Sequence, residues 1–541
     1  MNLIHISILF LIFSINLIAQ SNTQPKLVVG IVVDQMRYDY LEKFYNDFGE
    51  EGFKRLMKKG TNFTNCKINY VPTLTGAGHA SIYTGTTPYF HGVIGNDWKD
   101  RETTNSINCC TSLNIKNENY SENINRNRSP EQLLSTTIGD QIKINSFGKS
   151  KIFSVSLKDR GALLPAGKSA NGAFWFDNST GEFISSFYYY NELPKWVKEF
   201  NHSDKIKSYL NLDWELYSSI DKYNNLPNDE SPYEEDIFSE GRTSFPHSLK
   251  NVAEEELFNY FTHTPYGNQI IIDFATELLK NENLGKSEFI DHLAISFSST
   301  DKIGHAYGPQ SYEIKDTYLR LDQQLAELLK TLDSFVGQNN YLLFLTADHG
   351  VMENTHHLKD LNFDTGVLEN TDFYNRLQEF LQKKYNSKNL IKTRFSRNIY
   401  LDNDMIENLD LEQNEIEQAI KDLLIFDVPE IVDAYTRTEL ELLAPARDNK
   451  NYILNGFNKV RSGDVLYSLR ANYLNWEHKF GSQHGSRHSY DNHIPLIFYG
   501  FGISNYVNNE EVYIVDIAAT VCDILGITQP SGCIGIPLIK K

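Results

Sequence analysis

Short apolar runs without polar interruptions restrict the fold of this chain more than any other feature. They lie at residues 26–33 (KLVVGIVV), 152–157, 289–297, 341–345 and 495–499. A strand with one face in water alternates apolar and polar residues, so an unbroken run has to be buried on both faces, as in a parallel sheet covered by helices. Helical patterns separate the runs, at 40–59, 75–83, 311–335 and 515–525. The alternation predicts an α/β fold with a mainly parallel central sheet flanked by helices. Two stretches break the rhythm. Residues 162–284 are rich in Tyr, Asn, Ser and acids, and residues 354–481 mix a helix at 411–424 with strand-like pieces such as 397–401. Both are expected to be insertions that cap or flank the sheet. With 541 residues, 40% of them hydrophobic, the chain has ample material for one large domain of this kind.

The formal net charge of -19 argues against nucleic acid as a general partner, because phosphate backbones are gripped by clustered Lys and Arg. It leaves room for a small anionic substrate in a locally positive cleft. Residues 4–19 are almost wholly apolar and are followed by small and polar residues, although no Lys or Arg precedes them. This reads as a signal peptide over 1–20, removed from a mature chain of 21–541. The run is short for a membrane-spanning helix. The expectation is therefore an exported protein, periplasmic or secreted, with no stable membrane association after cleavage. In an oxidising compartment the five cysteines suggest disulfides, Cys66 with Cys109 or Cys110 and Cys522 with Cys533, leaving one over.

In open α/β sheets ligands bind beyond the carboxyl ends of the strands. Acids and histidines directly after the apolar runs are thus the informative ones. Asp34 closes the first run, and Asp348-His349-Gly350 follows the run at 341–345. A single Asp there is ordinarily a turn or cap residue, whereas an adjacent Asp and His offer oxygen and nitrogen ligands suited to zinc. Asp301 and His305 stand at i and i+4 after the run at 289–297. On a helix they share a face, which serves either a common metal or a local Asp–His hydrogen bond. His484 lies in a glycine-flanked loop. Thr73, Thr75, Ser81 and Thr84 are neighbouring hydroxyls, and Lys158-Asp-Arg160 is either a charged turn or an anion site.

Taken in order, Asp34, Thr75-Gly-Ala-Gly-His79, Gly95-Asn-Asp-Trp98, Asp301-x-x-x-His305, Asp348-His349-Gly350 and His484-Gly485 resemble the alkaline phosphatase superfamily, which includes the nucleotide pyrophosphatase/phosphodiesterases. With Lys158-Asp-Arg160 added, the chain resembles the phosphate-irrepressible alkaline phosphatases of bacterial periplasms. The resemblance spans nearly the whole chain. It implies two Zn²⁺ ions, one held by Asp301, His305 and His484 and the other by Asp34, Asp348 and His349. It also implies Thr75 as the nucleophile, with Asn96, Lys158 and Arg160 on the substrate phosphate. His79, His356, His357, His488 and His493 fall outside the implied ligand set. The family often carries proline where Ala77 stands, a change that bears on local stiffness rather than chemistry.

The function so implied is hydrolysis of phosphate monoesters of broad specificity through a phosphothreonine, serving phosphate scavenging. Lys158 and Arg160 add positive charge beyond what the carboxylates and a Thr75 alkoxide balance, which suits a monoester dianion. The rival on the same site is a nucleotide pyrophosphatase/phosphodiesterase. A sulfatase would need Cys or Ser where Thr75 stands.

Overall fold

The computed structural model describes residues 24–113, 124–368, 370–475 and 478–539, so the signal peptide expected at 1–20 lies outside the described residues. The five expected runs all form strands of one ten-stranded mixed sheet. In chain order its strands are β1 (Leu27–Val33), β2 (Thr61–Lys67), β3 (Ile152–Ser156), β4 (Gly172–Asp177), β5 (Glu182–Ser185), β6 (Asp291–Phe297), β7 (Tyr341–Thr346), β8 (His493–Gly500), β9 (Tyr506–Asn508) and β10 (Val512–Tyr513). Their spatial order is β9-β2-β8-β7-β1-β6-β3-β4-β5, with β10 beside β2. The centre, β7-β1-β6-β3-β4, is parallel throughout, while β8 and β5 run antiparallel to their neighbours.

Every residue of β1, β3, β6 and β7 is buried, as the unbroken apolar runs require. Two groups of helices cover the sheet. Helices α1 (Thr75–Thr84), α2 (Ile138–Asn145), α3 (Asp159–Ala166) and α7 (Asp516–Leu525) pack on one another. The second group is α4 (Pro265–Asn281), α5 (Ser299–Tyr307), α6 (Tyr312–Leu332) and the short helix Phe53–Lys59.

The helix expected at 40–59 is broken into Asp39–Lys43, a single 3-10 turn and Phe53–Lys59. The break belongs to Asp322 of α6, whose carboxylate accepts hydrogen bonds from the backbone N–H of Gly49 and Phe53 at 2.6 and 2.7 Å. A Cβ at Gly52 would lie 2.2 Å from the Asp322 carbonyl oxygen, so the chain must turn there on glycine. Tertiary contact overrides the local helical pattern.

Residues 162–284 are not wholly outside the sheet. They supply the edge strands β4 and β5 and the covering helix α4, tied together by aromatic contacts such as Phe183 stacked on Phe274 at 4.1 Å. Residues 354–481 build a separate four-stranded sheet, Ile391–Phe395, Asn398–Leu401, Val465–Leu469 and Ile431–Thr436 in spatial order. That sheet has its own core, which includes Phe373, Leu377 and Ile420.

The disulfides expected from composition are absent, and all five cysteines are thiols. Cys66 lies in the main core, whereas Cys109 and Cys110 lie in a separate cluster around Trp98. Cys522 and Cys533 sit near enough for one charge to disfavour the other, but they are unbonded.

Helix α1 is seated on the sheet at Gly30 of β1. A Cβ there would meet Tyr83 Oη of α1 at 2.5 Å and Phe344 Cζ of β7 at 2.6 Å. Neither ring has room to retreat, because both are fully buried. Gly30→Ala is therefore expected to cost about 1–3 kcal/mol in urea unfolding; an unchanged midpoint would show that α1 is not seated here.

Candidate metal centre

The carboxyl ends of β1, β6 and β7 point to one place. Asp34 directly follows β1, Asp301 lies in the first turn of α5 just after β6, and Asp348-His349 comes just after β7. Asp34, Asp348 and His349 are fully buried and Asp301 nearly so. His305, one turn along α5, brings Nε2 to 3.2 Å from Asp301 Oδ1, and His484 brings its Nε2 to 3.7 Å from the same oxygen. His349 Nε2 lies 3.4 Å from Asp34 Oδ1 and 3.7 Å from Asp348 Oδ2.

The opposite nitrogens of these histidines are all occupied. Nδ1 of His305, His349 and His484 lies 2.7, 2.9 and 2.8 Å from the carbonyls of Ser482, Gly350 and Thr73. A carbonyl can only accept, so each Nδ1 carries a proton, which leaves Nε2 as the atom that faces the carboxylates and could ligate a metal. Three imidazoles whose Nε2 atoms face three buried acids make a donor set of the kind that binds zinc. Asp34 Oδ1 and Asp348 Oδ2 are buried with no hydrogen-bond donor. Such oxygens are costly unless a cation meets them, so the residues fit a divalent metal.

Two triads have ligand atoms within 4.8 Å of one another: Asp301, His305 and His484, and Asp34, Asp301 and His349. The first is the grouping implied by the sequence resemblance. The second differs from the implied Asp34, Asp348 and His349, with Asp301 standing where Asp348 was expected. Lys158 explains the difference, since its ammonium lies 2.6 Å from Asp34 Oδ2 and 2.5 Å from Asp301 Oδ2 and draws the two carboxylates together. Asp348 remains beside them.

The charges are strongly coupled. Burial, reinforced by Asp301 and Asp348, pushes the Asp34 carboxyl up to about 8. Burial also works upward on Asp301 and Asp348, but cationic neighbours outweigh it: Lys158 and His305 for Asp301, His349 and His79 for Asp348. Both are held below the usual carboxylate range. Burial works downward on His305, yet Asp301 raises it overall. His484 is held well below the ordinary imidazole value by burial and by His349 and His305.

Thr75 is the first residue of α1, with Oγ1 3.4 Å from His349 Nε2. Asn96 Oδ1 accepts from the Gly76 N–H at 2.8 Å, which places the amide beside the same helix terminus. Arg160, also near the centre, has its Nε buried without a hydrogen-bond partner. Arg160 and Lys158 line a cavity of about 420 Å³ together with Arg128 and Lys302.

Two contributors, Gln35 and Lys302, escaped the sequence reading. Gln35 donates Nε2 to Asp301 Oδ1 at 2.9 Å and its N–H to Asp348 Oδ1 at 3.2 Å, from a backbone φ of 66°. Its position next to Asp34 was the one available signal. Lys302, beside Asp301, is pushed down to about 8 by burial and by Lys158. His79, outside the implied ligand set, supports the site: it bridges the Thr75 carbonyl at 2.9 Å and Ser296 Oγ at 2.9 Å and lies 3.3 Å from Asp348. His357, His488 and His493 make their contacts elsewhere, to Glu353, Leu469 and Thr64.

The sequence pattern of the type I phosphodiesterase / nucleotide pyrophosphatase family matches residues 28–491. The chain belongs to this family. It is 36% identical over 522 residues to alkaline phosphatase PafA of Elizabethkingia meningoseptica, covering 96% of this chain and 94% of that protein. It is 39% identical over 518 residues to alkaline phosphatase PhoV of Synechococcus elongatus, covering 95% and 92%. A crystal structure of PafA superposes with a TM-score of 0.88 at 36% identity, over 95% of this chain and 98% of that one. PafA has also been solved with substitutions at a threonine, an asparagine, a lysine and an arginine. Those residues follow one another at the same separations as Thr75, Asn96, Lys158 and Arg160.

The shifted groups give a pH signature for metal-stripped protein. Asp34 and His305 both hold protons more tightly when folded than when unfolded. Each therefore makes stability fall as pH rises through its folded value. Between about 6.5 and 8 the two act in the same direction; Asp301 and Asp348 are deprotonated in folded and unfolded chains alike, and the opposing groups, His484 and Lys302, act only at the lower and upper ends of the window. The Tm of chelator-treated protein should fall across this window, and zinc should raise Tm and flatten the dependence. Parallel curves with and without zinc would contradict the assignment.

Proposed function

We propose that this protein is an exported, zinc-dependent alkaline phosphatase that hydrolyses phosphate monoesters through a phosphothreonine. The observation that carries the reading is the Thr75 hydroxyl at a helix N-terminus, 3.4 Å from a histidine of a buried Asp/His cluster. Full-length similarity to two alkaline phosphatases supports it.

Two zinc ions, held by Asp301, His305 and His484 and by Asp34, Asp348 and His349, would supply the charge that stabilises the attacking and leaving oxygens of an in-line displacement. The residues do the rest. Thr75 Oγ1 gives up its proton to solvent and bonds to phosphorus as the P–O bond to the ester oxygen breaks and that oxygen takes up a proton from solvent; water then adds to the phosphorus of the phosphothreonine, releasing inorganic phosphate and returning the Thr75 hydroxyl. The dipole at the N-terminus of α1 favours the anionic form of the Thr75 oxygen. Asn96, fixed by the Gly76 N–H, turns its amide donors to the phosphoryl group. Lys158 and Arg160 give the site its positive surplus, which a monoester dianion uses more fully than a diester monoanion. The apolar leader supports a periplasmic or secreted location, where phosphate scavenging is the role we assign. No helix among the described residues is long and apolar enough to cross a membrane.

Comparison of p-nitrophenyl phosphate with bis-p-nitrophenyl phosphate tests the reading. The monoester should have the higher kcat/KM, and a much higher value for the diester would sink it. Lys158→Ala and Arg160→Ala should each lower monoester kcat/KM on the order of 10²–10³-fold, the usual scale for a charge-stabilising contact, and diester turnover by less. Thr75→Ala should abolish turnover while leaving zinc content unchanged.

A further inference from the structure

The sheet built from residues 354–481 reaches the metal centre at one point. Strands Ile391–Phe395 and Asn398–Leu401 pair antiparallel with Phe395 opposite Asn398, so Ser396 and Arg397 form the tip of a two-residue hairpin. Ser396 takes the positive φ, 55°, that such tight turns demand. The tip is tied down where Arg397 Nη1 donates to the Gly485 carbonyl at 2.6 Å, directly beside His484.

Between this tip and the start of α1 lies a cavity of about 270 Å³. Its lining includes Leu74, Ile94 and Trp98, Phe395 and Tyr400 from the inserted sheet, and the polar Asn96, Asp97 and His484. It is separate from the Lys158 and Arg160 cavity. Arg397 lines it with a guanidinium whose hydrogen-bond partner among the described residues is a carbonyl, not a carboxylate. A guanidinium offers five N–H donors, so donors are left over; Asp491 acts on its charge, and Asp97, whose Oδ1 accepts from Asn108 Nδ2, also lines the cavity. In an in-line displacement the leaving group departs opposite the nucleophile. Thr75 faces His349, and His484 belongs to the other cluster, whose side opens into this cavity.

We propose that this cavity is a leaving-group subsite taking a single planar ring that bears an anionic substituent, with Arg397 as the residue that meets the charge. The inference rests on the phosphatase reading above. Aromatic and aliphatic walls suit a ring face, and a volume of about 270 Å³, below that of pockets for drug-sized ligands, limits the occupant to one ring. The inserted sheet is thereby a specificity element, because its hairpin brings the cation to the ester's organic half.

The test uses the zinc-loaded enzyme with 4-carboxyphenyl phosphate, 4-chlorophenyl phosphate and methyl phosphate. The two aryl esters have leaving groups of similar basicity and differ in charge. Wild type should favour the carboxylate ester over the chloro ester in kcat/KM by roughly tenfold, the scale of one charge-assisted hydrogen bond. Arg397→Gln should remove that preference, Arg397→Lys should restore part of it, and Phe395→Ala should weaken both aryl esters more than methyl phosphate. Equal losses for all three esters in Arg397→Gln would mean that Arg397 only braces the Gly485 carbonyl, and would overturn the proposal. If wild type turns over none of the esters, the phosphatase reading fails. Calorimetric binding of 4-carboxyphenylphosphonate against methylphosphonate then decides the subsite: tighter binding of the aryl ligand, lost in Arg397→Gln, supports it, and equal binding refutes it.

Discussion

Three carboxylates, Asp34, Asp301 and Asp348, are buried within reach of one another at the carboxyl end of a parallel sheet. Repulsion among them is the constraint on which the rest of the structure depends. Buried charge is tolerated only when paired. Around these acids the fold places the Lys158 ammonium, the Gln35 amide and three histidines with their proton-bearing nitrogens turned outward to carbonyls. Even so, one carboxyl is pushed up to about 8, and two carboxylate oxygens lack donors. A site left this acidic fits a divalent metal, and with metal bound it would present positive charge to a phosphate.

Precision in such a site comes from rigid elements. Each acid follows a fully buried strand of the parallel centre, so its backbone is fixed by in-register neighbours on both sides. Helix α1 carries Thr75 and is pinned at two places. Tyr83 packs on Gly30 of β1, and a Cβ at Gly78 would lie 2.4 Å from the Asp348 carbonyl oxygen. The second contact sets the nucleophile candidate against the loop that carries Asp348 and His349. The inserted sheet, with a core of its own, adds a tip anchored beside His484.

Much of this was legible in the sequence because burial on two faces leaves an unmistakable pattern. The runs at 26–33 and 341–345 became β1 and β7, and the acids after them became the floor of the site. Asp301 and His305 were readable as one helix face by their spacing. Their grouping with His484, and the choice of Thr75 over Thr73 or Ser81, came from family resemblance, because spacing alone does not bring distant segments together. What stayed hidden depends on tertiary contact. The break at Gly49–Gly52 is imposed by Asp322, more than 250 residues away. Gln35 acts from a left-handed backbone that no local pattern announces. The Lys158 ammonium between Asp34 and Asp301 is likewise a contact between segments far apart in sequence. The disulfides expected from compartment failed because Cys66 and the Cys109-Cys110 pair are folded into separate clusters.

The most direct measurement is a zinc titration of metal-stripped protein in which bound zinc per chain and p-nitrophenyl phosphate turnover are read on the same samples. The account predicts no turnover without metal and activity that rises with occupancy to a plateau at two zinc ions per chain. Full turnover in the stripped protein, or none with both sites filled, would contradict it.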